Sequence, residues 1–493
     1  MKTIRSSSVL FFTKNIKDFI KDDYITANND DEINSVIKRV QQNNKSTIIV
    51  VENKKITGII TEQDIARRIV GVVPLTTKVK EVMTTPVITC YDYEILFSAI
   101  GKMRKEELRH LPVVNSQEEI VGMLTLDKAL SAEIETSLKW VDDLTQETDF
   151  EGIKKLKENQ LKTAVEMFNE NIPETDVSYF LSFLNRIVYR RSVKNAIEAN
   201  KKKNILHEKD IPKFCIIIMG SGSRMESLLH PDQDNGIIYE LSKENESKKE
   251  VIDRYFYELA KEFTKTLDDV GIPFCKGNIM GTNPVWRKSL EQWITDFDEW
   301  INSGSDQNLL YVDELYDFSS VYGDEKLKDT LKDFILKKLE KTPSFFNYLL
   351  KRESETTFGL NWFGGFITEK KDKSNKGLLN IKHAGLLPLI ESIRMYSIKY
   401  KVKEVSTLER LDKLIELKVF DSDQADFFKS GYKFLVYLLL KNQIRAYSEN
   451  REIKNYINPK SLLEREKDFL KIYLRRIEKL KKELRTEFTG QYV

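Results

Sequence analysis

Several features that define other protein classes are scarce in this 493-residue sequence. Its three cysteines, Cys90, Cys215 and Cys275, are scattered, which argues against a disulfide framework and against a metal-binding cysteine spacing. The 11 prolines and 20 glycines exclude a collagen-like or Pro/Gly-rich disordered chain. The longest apolar runs, at 214–219 and 434–440, are far shorter than the roughly 20 residues that cross a bilayer. We therefore expect a cytoplasmic protein that does not enter a membrane.

Charge of a single sign is also lacking. The sequence has 79 lysines and arginines against 77 aspartates and glutamates, for a formal net charge of +2. This balance argues against nucleic-acid binding through one large basic surface. Hydrophobic residues make up 41% of the chain, which is enough for ordinary packed cores. At roughly 150 residues per domain, the length predicts about three domains.

An internal repeat lies near the start of the chain. Residues 47–65 superimpose on residues 111–129 at an offset of 64, which aligns Thr61 with Thr125. Each copy predicts a strand, a tight polar turn, a second strand and then a helix that the threonine can cap. A single unit of about 60 residues buries little apolar surface, so we expect the two copies to pack as a pair.

This pair resembles a tandem CBS module, through G-x-x-T-x-x-D at Gly58, Thr61 and Asp64. In that family the cleft between the repeats often binds adenosine nucleotides, with the Thr on phosphate and the Asp on the ribose hydroxyls. The resemblance therefore implies AMP, ADP or ATP as a ligand. In the second copy, Thr125 matches but Lys128 replaces the acid, so that copy has either no site or a lysine facing a phosphate. The alternative is that the threonines only cap helices and the module mediates dimerisation; a homodimer is expected.

A phosphate-binding turn is predicted in the middle of the chain. The apolar run at 214–219 has the length of a buried strand and ends abruptly at Gly-Ser-Gly-Ser, residues 220–223. Small residues there let backbone N–H groups approach an anion. Asp232 and Asp234 follow and lead into a second apolar strand at 236–239. Residues two apart in a strand project from one face, so this pattern predicts a Mg²⁺ site for nucleoside triphosphate chemistry.

The turn and the acidic pair resemble the nucleotidyltransferase superfamily that includes DNA polymerase beta, whose hallmark is a strand, Gly-Ser, a short helix and Asp-x-Asp. The closer resemblance is to a bacterial branch of CBS-containing nucleotidyltransferases, similar to the uridylyl- and adenylyltransferases of nitrogen regulation. Its G-S-x-x-R-x-E…D-Q-D segment is matched between Gly220 and Asp234. The resemblance implies that the nucleotide is held by Gly220, Ser221, Gly222, Ser223 and Arg224.

A third acid is expected, because two-metal phosphoryl transfer normally uses one. Residues 317–324 resemble the family's D-x-R-x-V-x-G-D segment, which implies Asp317 as a catalytic, metal-binding carboxylate beside Asp232 and Asp234. The arginine of that segment is replaced by Ser319. Since the arginine would neutralise triphosphate charge, its absence weakens the case for catalysis.

A second departure lies in the segment that resembles the family's D-x-K-x-G-x-x-P. Asn380 stands where an Asp is usual, whereas the lysine is retained as Lys382. Lys382 is a candidate to reach the phosphates of the nucleotide, and a purely surface role is the alternative.

Four regions are predicted along the chain: a tandem CBS module at 15–132, a helical linker at 133–208, a nucleotidyltransferase α/β domain at 209–340 and a C-terminal helical substrate-binding domain at 341–493. Apolar residues at three- and four-residue spacing predict the helices of the second and fourth regions. The predicted fold class is α+β and multidomain, and the resemblance implies a polymerase-beta-like nucleotidyltransferase core.

Three functions stay open at this level. The first is a Mg²⁺-dependent enzyme that moves NMP from an NTP to a hydroxyl, of a protein for example, under control of adenosine nucleotide at the CBS pair. The second is a non-catalytic nucleotide sensor for signal transduction, which Ser319 and Asn380 favour. The third is a scaffold that binds no nucleotide.

Overall fold

The computed structural model describes residues 16–125, 149–350 and 359–489, apart from gaps at 44, 54, 93–95, 97–98, 100–101, 104–105, 107, 116, 243–244, 341, 343–344 and 347. The chain divides into two compact units, Met1–Gln146 and Glu147–Val493. Across the described ranges, no helix is both long and apolar enough to cross a membrane.

The first unit contains two small sheets of the same topology. Their strands are β1 (Tyr24–Asn28), β2 (Thr47–Glu52), β3 (Lys55–Thr61), β4 (Cys90–Tyr91), β5 (His110–Val114) and β6 (Ile120–Thr125). In each sheet the middle strand runs parallel to the first strand and antiparallel to the third. Helix α1 (Ile33–Asn43) buries Ile33, Val36 and Val40 in the core of the first sheet. The two copies inferred from the sequence offset therefore share one strand arrangement.

A glycine in the third strand of each sheet is required by close packing. A Cβ at Gly58 would lie 2.1 Å from the Sδ of Met83, and a Cβ at Gly122 would lie 2.8 Å from the Cβ of Ile20. Both distances are shorter than side chains tolerate, so any larger residue would push the neighbouring segment away. The repeat thus extends from strand order to a glycine at the same position of the third strand, closely packed in both copies.

The second unit is built around a four-stranded sheet. Its strands are β7 (Phe214–Met219), β8 (Asn235–Tyr239), β9 (Arg287–Ser289) and β10 (Phe318–Gly323). The order is β10-β7-β8-β9, with β8 and β9 parallel and the other pairs antiparallel. All five residues of β8 and five of the six in β7 are buried, as their apolar sequences predict.

Eleven labelled helices complete the described chain, ten of them in the second unit. Those ten are α2 (Phe150–Asn169), α3 (Glu174–Lys203), α4 (Lys249–Asp269), α5 (Leu290–Ser303), α6 (Asp306–Tyr316), α7 (Glu325–Leu339), α8 (Leu387–Lys399), α9 (Thr407–Glu416), α10 (Ser422–Ser448) and α11 (Glu464–Thr489). The short strands β11 (Leu379–Asn380) and β12 (Tyr456–Ile457) pair near the start of α8. Helix α3 packs on α2, α4, α10 and β10, so the two helices described within the region predicted as a linker pack into this unit.

Candidate active site

The Gly-Ser turn lies at the end of β7 and forms a single helical turn, Gly220–Ser223. Gly220 has a φ of 58°, which a residue with a side chain adopts at a cost. A Cβ at this position would also lie 3.3 Å from an oxygen of Asp234. The glycine therefore allows the turn to sit directly against the acidic pair.

The two aspartates converge as their spacing predicts. One oxygen of Asp232, one oxygen of Asp234 and the Sγ of Cys275 all lie within 4.8 Å of one another. The loop that carries Cys275 is held beside the acidic segment, because the amide of Asn235 donates to the carbonyl of Ile279 at 3.0 Å. The thiol of Cys275 is hydrogen-bonded to Asp234.

The electrostatics of this group favour a cation. Burial, and after it the negative charge of Asp232, raises the pKa of Asp234 to about 7. Glu314 raises this pKa further, whereas Lys382 opposes the shift. Two neighbouring carboxylates in a partly buried place repel each other, and a divalent ion bound between them would relieve that repulsion.

The donor set fits Mg²⁺. Magnesium prefers oxygen ligands and is commonly held by one or two carboxylates together with substrate phosphates. Burial and the charge of Asp234 raise the pKa of Cys275 to about 12, so its sulfur is a neutral thiol. A neutral thiol is a poor ligand for a hard ion but a suitable donor to a carboxylate. In chemical type, Asp232 and Asp234 therefore fit a hard ion, whereas Cys275 fits a residue that positions a carboxylate.

A narrow pocket opens beside the acidic pair. It holds about 370 Å³ of empty space counting its mouth, of which about 20 Å³ admits the centre of a water molecule. Space of this size holds an ion or a single water molecule. Its lining includes Ser221, Gly222, Asp232 and Asp234, together with four side chains of α3: Ser182, Asn185, Arg186 and Tyr189. Sequence reasoning missed these α3 residues, since their helix carries only an ordinary amphipathic pattern.

The structure corrects the role predicted for Asp317. This residue does not belong to the candidate metal group of the described residues, which contains Asp232, Asp234 and Cys275. Its side chain is 1% exposed and pairs with Arg224 at 2.9 Å and with Arg410. Although burial alone would raise its pKa, Arg410 and Arg224 hold the pKa of Asp317 well below its usual range. Asp317 is a buried structural anion, because both its oxygens are already neutralised.

Arg224 and Ser223 also differ from their prediction as nucleotide-binding residues. The guanidinium of Arg224 is buried and binds Glu226 at 2.8 Å as well as Asp317. The hydroxyl of Ser223 donates to the carbonyls of Gly220 at 2.8 Å and Asp317 at 2.9 Å. Glu226 in turn accepts from the amide of Thr407 at 2.7 Å, at the start of α9. These motif residues hold the turn and attach the C-terminal helices to the sheet.

Lys382 and Asn380 lie just before helix α8. Lys382 begins the short turn Lys382–Leu386 that leads into α8, and its charge acts on Asp234. The side-chain oxygen of Asn380 accepts from the amide of His383 at 3.2 Å, which caps this turn. An amide serves this capping role as well as a carboxylate does, so the change from Asp costs the local structure little.

The first unit has its own cleft between the repeats. About 540 Å³ of it is wide enough for water molecules, and its lining includes Thr61, Asp64, Arg67, Arg109 and His110. Thr61 caps the helical turn that follows β3, and its hydroxyl donates to Asp64 at 2.9 Å. The other oxygen of Asp64 pairs with Arg68 at 2.8 Å. Thr61 and Asp64 thus lie together at the edge of a cleft of nucleotide size.

The second predicted CBS position is only partly described. Thr125 is the last residue of β6, paired in register with His110, and is not among the residues that line this cleft. Lys128 lies outside the described residues.

Three family models match most of the chain. CBS domain models match residues 16–71 and 79–135. The model "Putative nucleotidyltransferase DUF294" matches residues 158–307, and "Putative nucleotidyltransferase substrate binding domain" matches residues 343–488. The DUF294 model begins within α2, in agreement with the packing of α2 and α3 into the second unit.

Curated relatives match a short part of the chain. A homoserine O-acetyltransferase of Methanosphaera stadtmanae is 28% identical over 111 residues, 22% of this chain and 22% of that protein. An inosine-5'-monophosphate dehydrogenase of Methanocaldococcus jannaschii is 30% identical over 105 residues, 21% of this chain and 20% of that protein. The chain therefore spans about a fifth of the length of these relatives.

Solved structures with CBS domains are also similar to a quarter of the chain. A CBS domain protein from Pyrobaculum aerophilum, complexed with AMP, is 23% identical, covers 26% of this chain and 98% of its own, and has a TM-score of 0.24. A CBS domain pair/ACT domain protein from Thermotoga maritima is 18% identical, covers 24% of this chain and 97% of its own, and has a TM-score of 0.22.

Proposed function

Because this chain belongs to the DUF294 nucleotidyltransferase family with an N-terminal CBS pair, we propose that it moves a nucleoside monophosphate from an NTP to a hydroxyl group with the help of Mg²⁺. The observation that carries the proposal is the convergence of Asp232 and Asp234 beside Ser221 in one pocket. A small-residue turn for phosphate next to paired carboxylates for a metal is the arrangement this chemistry needs.

The residues of the chain divide the work of the reaction. Within the turn, the amides of Ser221 and Gly222 and the Ser221 hydroxyl bind triphosphate oxygens, and Asp232 and Asp234 would hold Mg²⁺. The ion would supply charge stabilisation for the phosphoryl oxygens. The acceptor oxygen forms a bond to the α-phosphorus, the bond from that phosphorus to pyrophosphate breaks, and the acceptor proton passes to solvent. Lys382 stands close enough to act on Asp234, which favours a contact with the phosphates.

The direct test is pyrophosphate release from each of the four NTPs with Mg²⁺, in the presence of protein extract from the native cell. We expect release with at least one NTP and a matching mass increase on an acceptor protein, measured by mass spectrometry. The matched control for a change of Asp to Asn in the acidic pair is Asp269→Asn. It changes an exposed pair with Lys265 and should leave turnover unchanged.

The outcome that contradicts the enzyme proposal is NTP binding without any Mg²⁺-dependent release in the wild-type chain. That result would leave the nucleotide sensor, the second function, which the replacements Ser319 and Asn380 favour. Absence of heat with every NTP and adenosine nucleotide in calorimetry would leave only a scaffold.

The CBS cleft is proposed to bind an adenosine nucleotide that regulates transfer. Arg67 and Arg109 supply positive charge for phosphates, and Asp64 supplies acceptors for ribose hydroxyls. Each oxygen of Asp64 has a partner, but a carboxylate oxygen accepts a second hydrogen bond. Regulation requires that the nucleotide bind with different affinity to the more active and less active states.

This regulatory part has its own experiment. Titration calorimetry with AMP, ADP and ATP should show binding that Asp64→Ala weakens, whereas Asp30→Asn, at an exposed pair with Lys80 outside the cleft, should not. Loss of one hydrogen-bonded charge predicts about 10- to 100-fold weaker affinity. Equal affinity of wild type and Asp64→Ala would remove this cleft as the site.

A further inference from the structure

An arginine of helix α3 occupies the place next to Ser319. The Nη1 of Arg186 donates to the Ser319 hydroxyl at 2.9 Å, and its Nη2 donates to the carbonyl of Ser320. Arg186 also lines the narrow pocket with Ser221 and Asp232. The side chain is therefore anchored on β10 while it borders the space between the turn and the acidic pair.

Arg186 differs from four buried arginines of this unit. Arg224, Arg394 and Arg410 each pair with a carboxylate, and so does Arg287. Within the described part of the chain, no carboxylate lies at ion-pair distance from Arg186. A guanidinium taken from water without a paired carboxylate is costly, and an anion bound beside it would offset that cost.

The charge of Arg186 and its neighbour Ser319 also fit a site that binds an anion. Burial, and after it the positive charge of Arg190, lowers the pKa of Arg186 to about 10, which still leaves the group charged at neutral pH. Ser319 is small, and it leaves room for the incoming guanidinium. An arginine at position 319 would compete for this space, so the short residue on β10 and the arginine on α3 form a complementary pair.

We propose that Arg186 binds the phosphates of the nucleoside triphosphate and neutralises the charge that develops on the departing pyrophosphate. This role rests on the proposed transfer reaction for its catalytic part, although phosphate binding stands without turnover. A guanidinium beside Ser319 is thus supplied from a helix 133 residues earlier in the chain. A planar guanidinium with several donors suits phosphate oxygens from either direction.

The first experiment measures binding of inorganic pyrophosphate with Mg²⁺ by calorimetry. We expect Arg186→Ala to weaken affinity about 10- to 100-fold, the value of a charge-assisted contact. The matched control is Arg190→Ala, one turn along α3, whose side chain donates to the carbonyl of Val321 and does not line the pocket. Equal pyrophosphate affinity of wild type and Arg186→Ala would overturn the proposal.

The second experiment separates phosphate binding from a structural role. Arg186→Ala should lower kcat/KM for the NTP by about 10²–10³-fold. The double variant Arg186→Ala/Ser319→Arg returns a guanidinium to the strand and should recover a large part of pyrophosphate binding and turnover. A double variant that regains thermal stability but neither binding nor turnover would show that Arg186 only ties α3 to β10.

The two proposals fail in distinguishable ways. If the wild type binds pyrophosphate through Arg186 but releases none from any NTP, transfer is wrong and the phosphate site stands. If the wild type turns over NTP and Arg186→Ala does so equally well, transfer stands and the role of Arg186 is wrong.

Discussion

Asp234 and Asp317 both lie beside the end of strand β7, and their pKa values are shifted in opposite directions. The amide of Met219 donates to the carbonyl of Asp234 at 2.9 Å, and the next amide, Gly220, donates to the carbonyl of Asp317 at 3.0 Å. On one side burial and Asp232 raise the pKa of Asp234 to about 7. On the other side Arg410 and Arg224 outweigh burial and lower the pKa of Asp317.

The difference shows how to tell a functional carboxylate from a structural one. Asp317 is enclosed with two arginines, so its charge is satisfied by the protein itself. Asp232 and Asp234 lie beside each other and a neutral thiol, and although Lys382 acts on Asp234, a bound cation would relieve the repulsion that remains. Acidic residues a few ångströms apart along a backbone can thus have unrelated roles, decided by the cations around them.

The largest effect is expected from a change in the acidic pair, Asp232 and Asp234. Asp234→Asn keeps the shape of the side chain but removes a charge from the proposed metal site, and we expect turnover to fall about 10³-fold or more, which corresponds to several kcal/mol. Pyrophosphate release at saturating Mg²⁺ measures it. Near wild-type turnover with retained folding would show that the pair is not the metal site.

The next largest effect is expected from removing the charge of Asp317, which is paired with two arginines. Asp317→Asn leaves Arg224 and Arg410 buried without their anion, and we expect the free energy of unfolding to fall by about 3–5 kcal/mol. Denaturation followed by the fluorescence of the buried Trp286 and Trp293 reports this unit. The same change at the exposed pair, Asp269→Asn, should cost less than about 1 kcal/mol.

An opposite result for Asp317→Asn would reverse the comparison. Unchanged stability together with a large loss of turnover would place Asp317 in the catalytic machinery. It would also mean that the pairing with Arg410 is not what holds this part of the sheet to α9.

The pH dependence of stability sharpens the comparison, because the two shifts have opposite signs. The folded pKa of Asp234 is raised to about 7, so without Mg²⁺ the wild type should lose stability relative to Asp234→Asn as pH rises from about 4 to about 7. The folded pKa of Asp317 is lowered, so its contribution is present above about pH 4 and is lost as pH falls further. Denaturation midpoints of the wild type, Asp234→Asn and Asp317→Asn, measured from below pH 4 up to about pH 7, report both trends. Parallel curves for the three proteins would contradict them.

The smallest expected effect is stabilisation by the metal itself. At a Mg²⁺ concentration ten times the dissociation constant, linkage predicts about 1.4 kcal/mol of added stability. Asp234→Asn should lose this gain, whereas Asp317→Asn, although weaker overall, should keep it. Thermal unfolding with and without Mg²⁺ measures the difference, and a gain retained in Asp234→Asn would point to a metal site elsewhere.

Much of the fold follows from local sequence. The offset between the CBS copies, and the run of apolar residues that ends at Gly220, are readable because strand pairing and turn geometry depend on nearby residues. The same holds for Asp232 and Asp234, whose spacing predicts that they share a face, and the structure brings their oxygens together. The predicted domain boundaries stay predictions, although α2 and α3 pack into the second unit.

The sequence alone determined which groups are present around β7, but the tertiary structure decided what each one faces. Arg410 reaches Asp317 from 93 residues away, and Arg186 reaches Ser319 from 133 residues away, distances at which no local pattern carries a signal. The charge state of a carboxylate depends on burial and on such long-range neighbours, since electrostatic interactions strengthen as water is excluded. For that reason the sequence motif identified the residues, while the packing of α3 and α9 determined which of them form a scaffold and which form a candidate site.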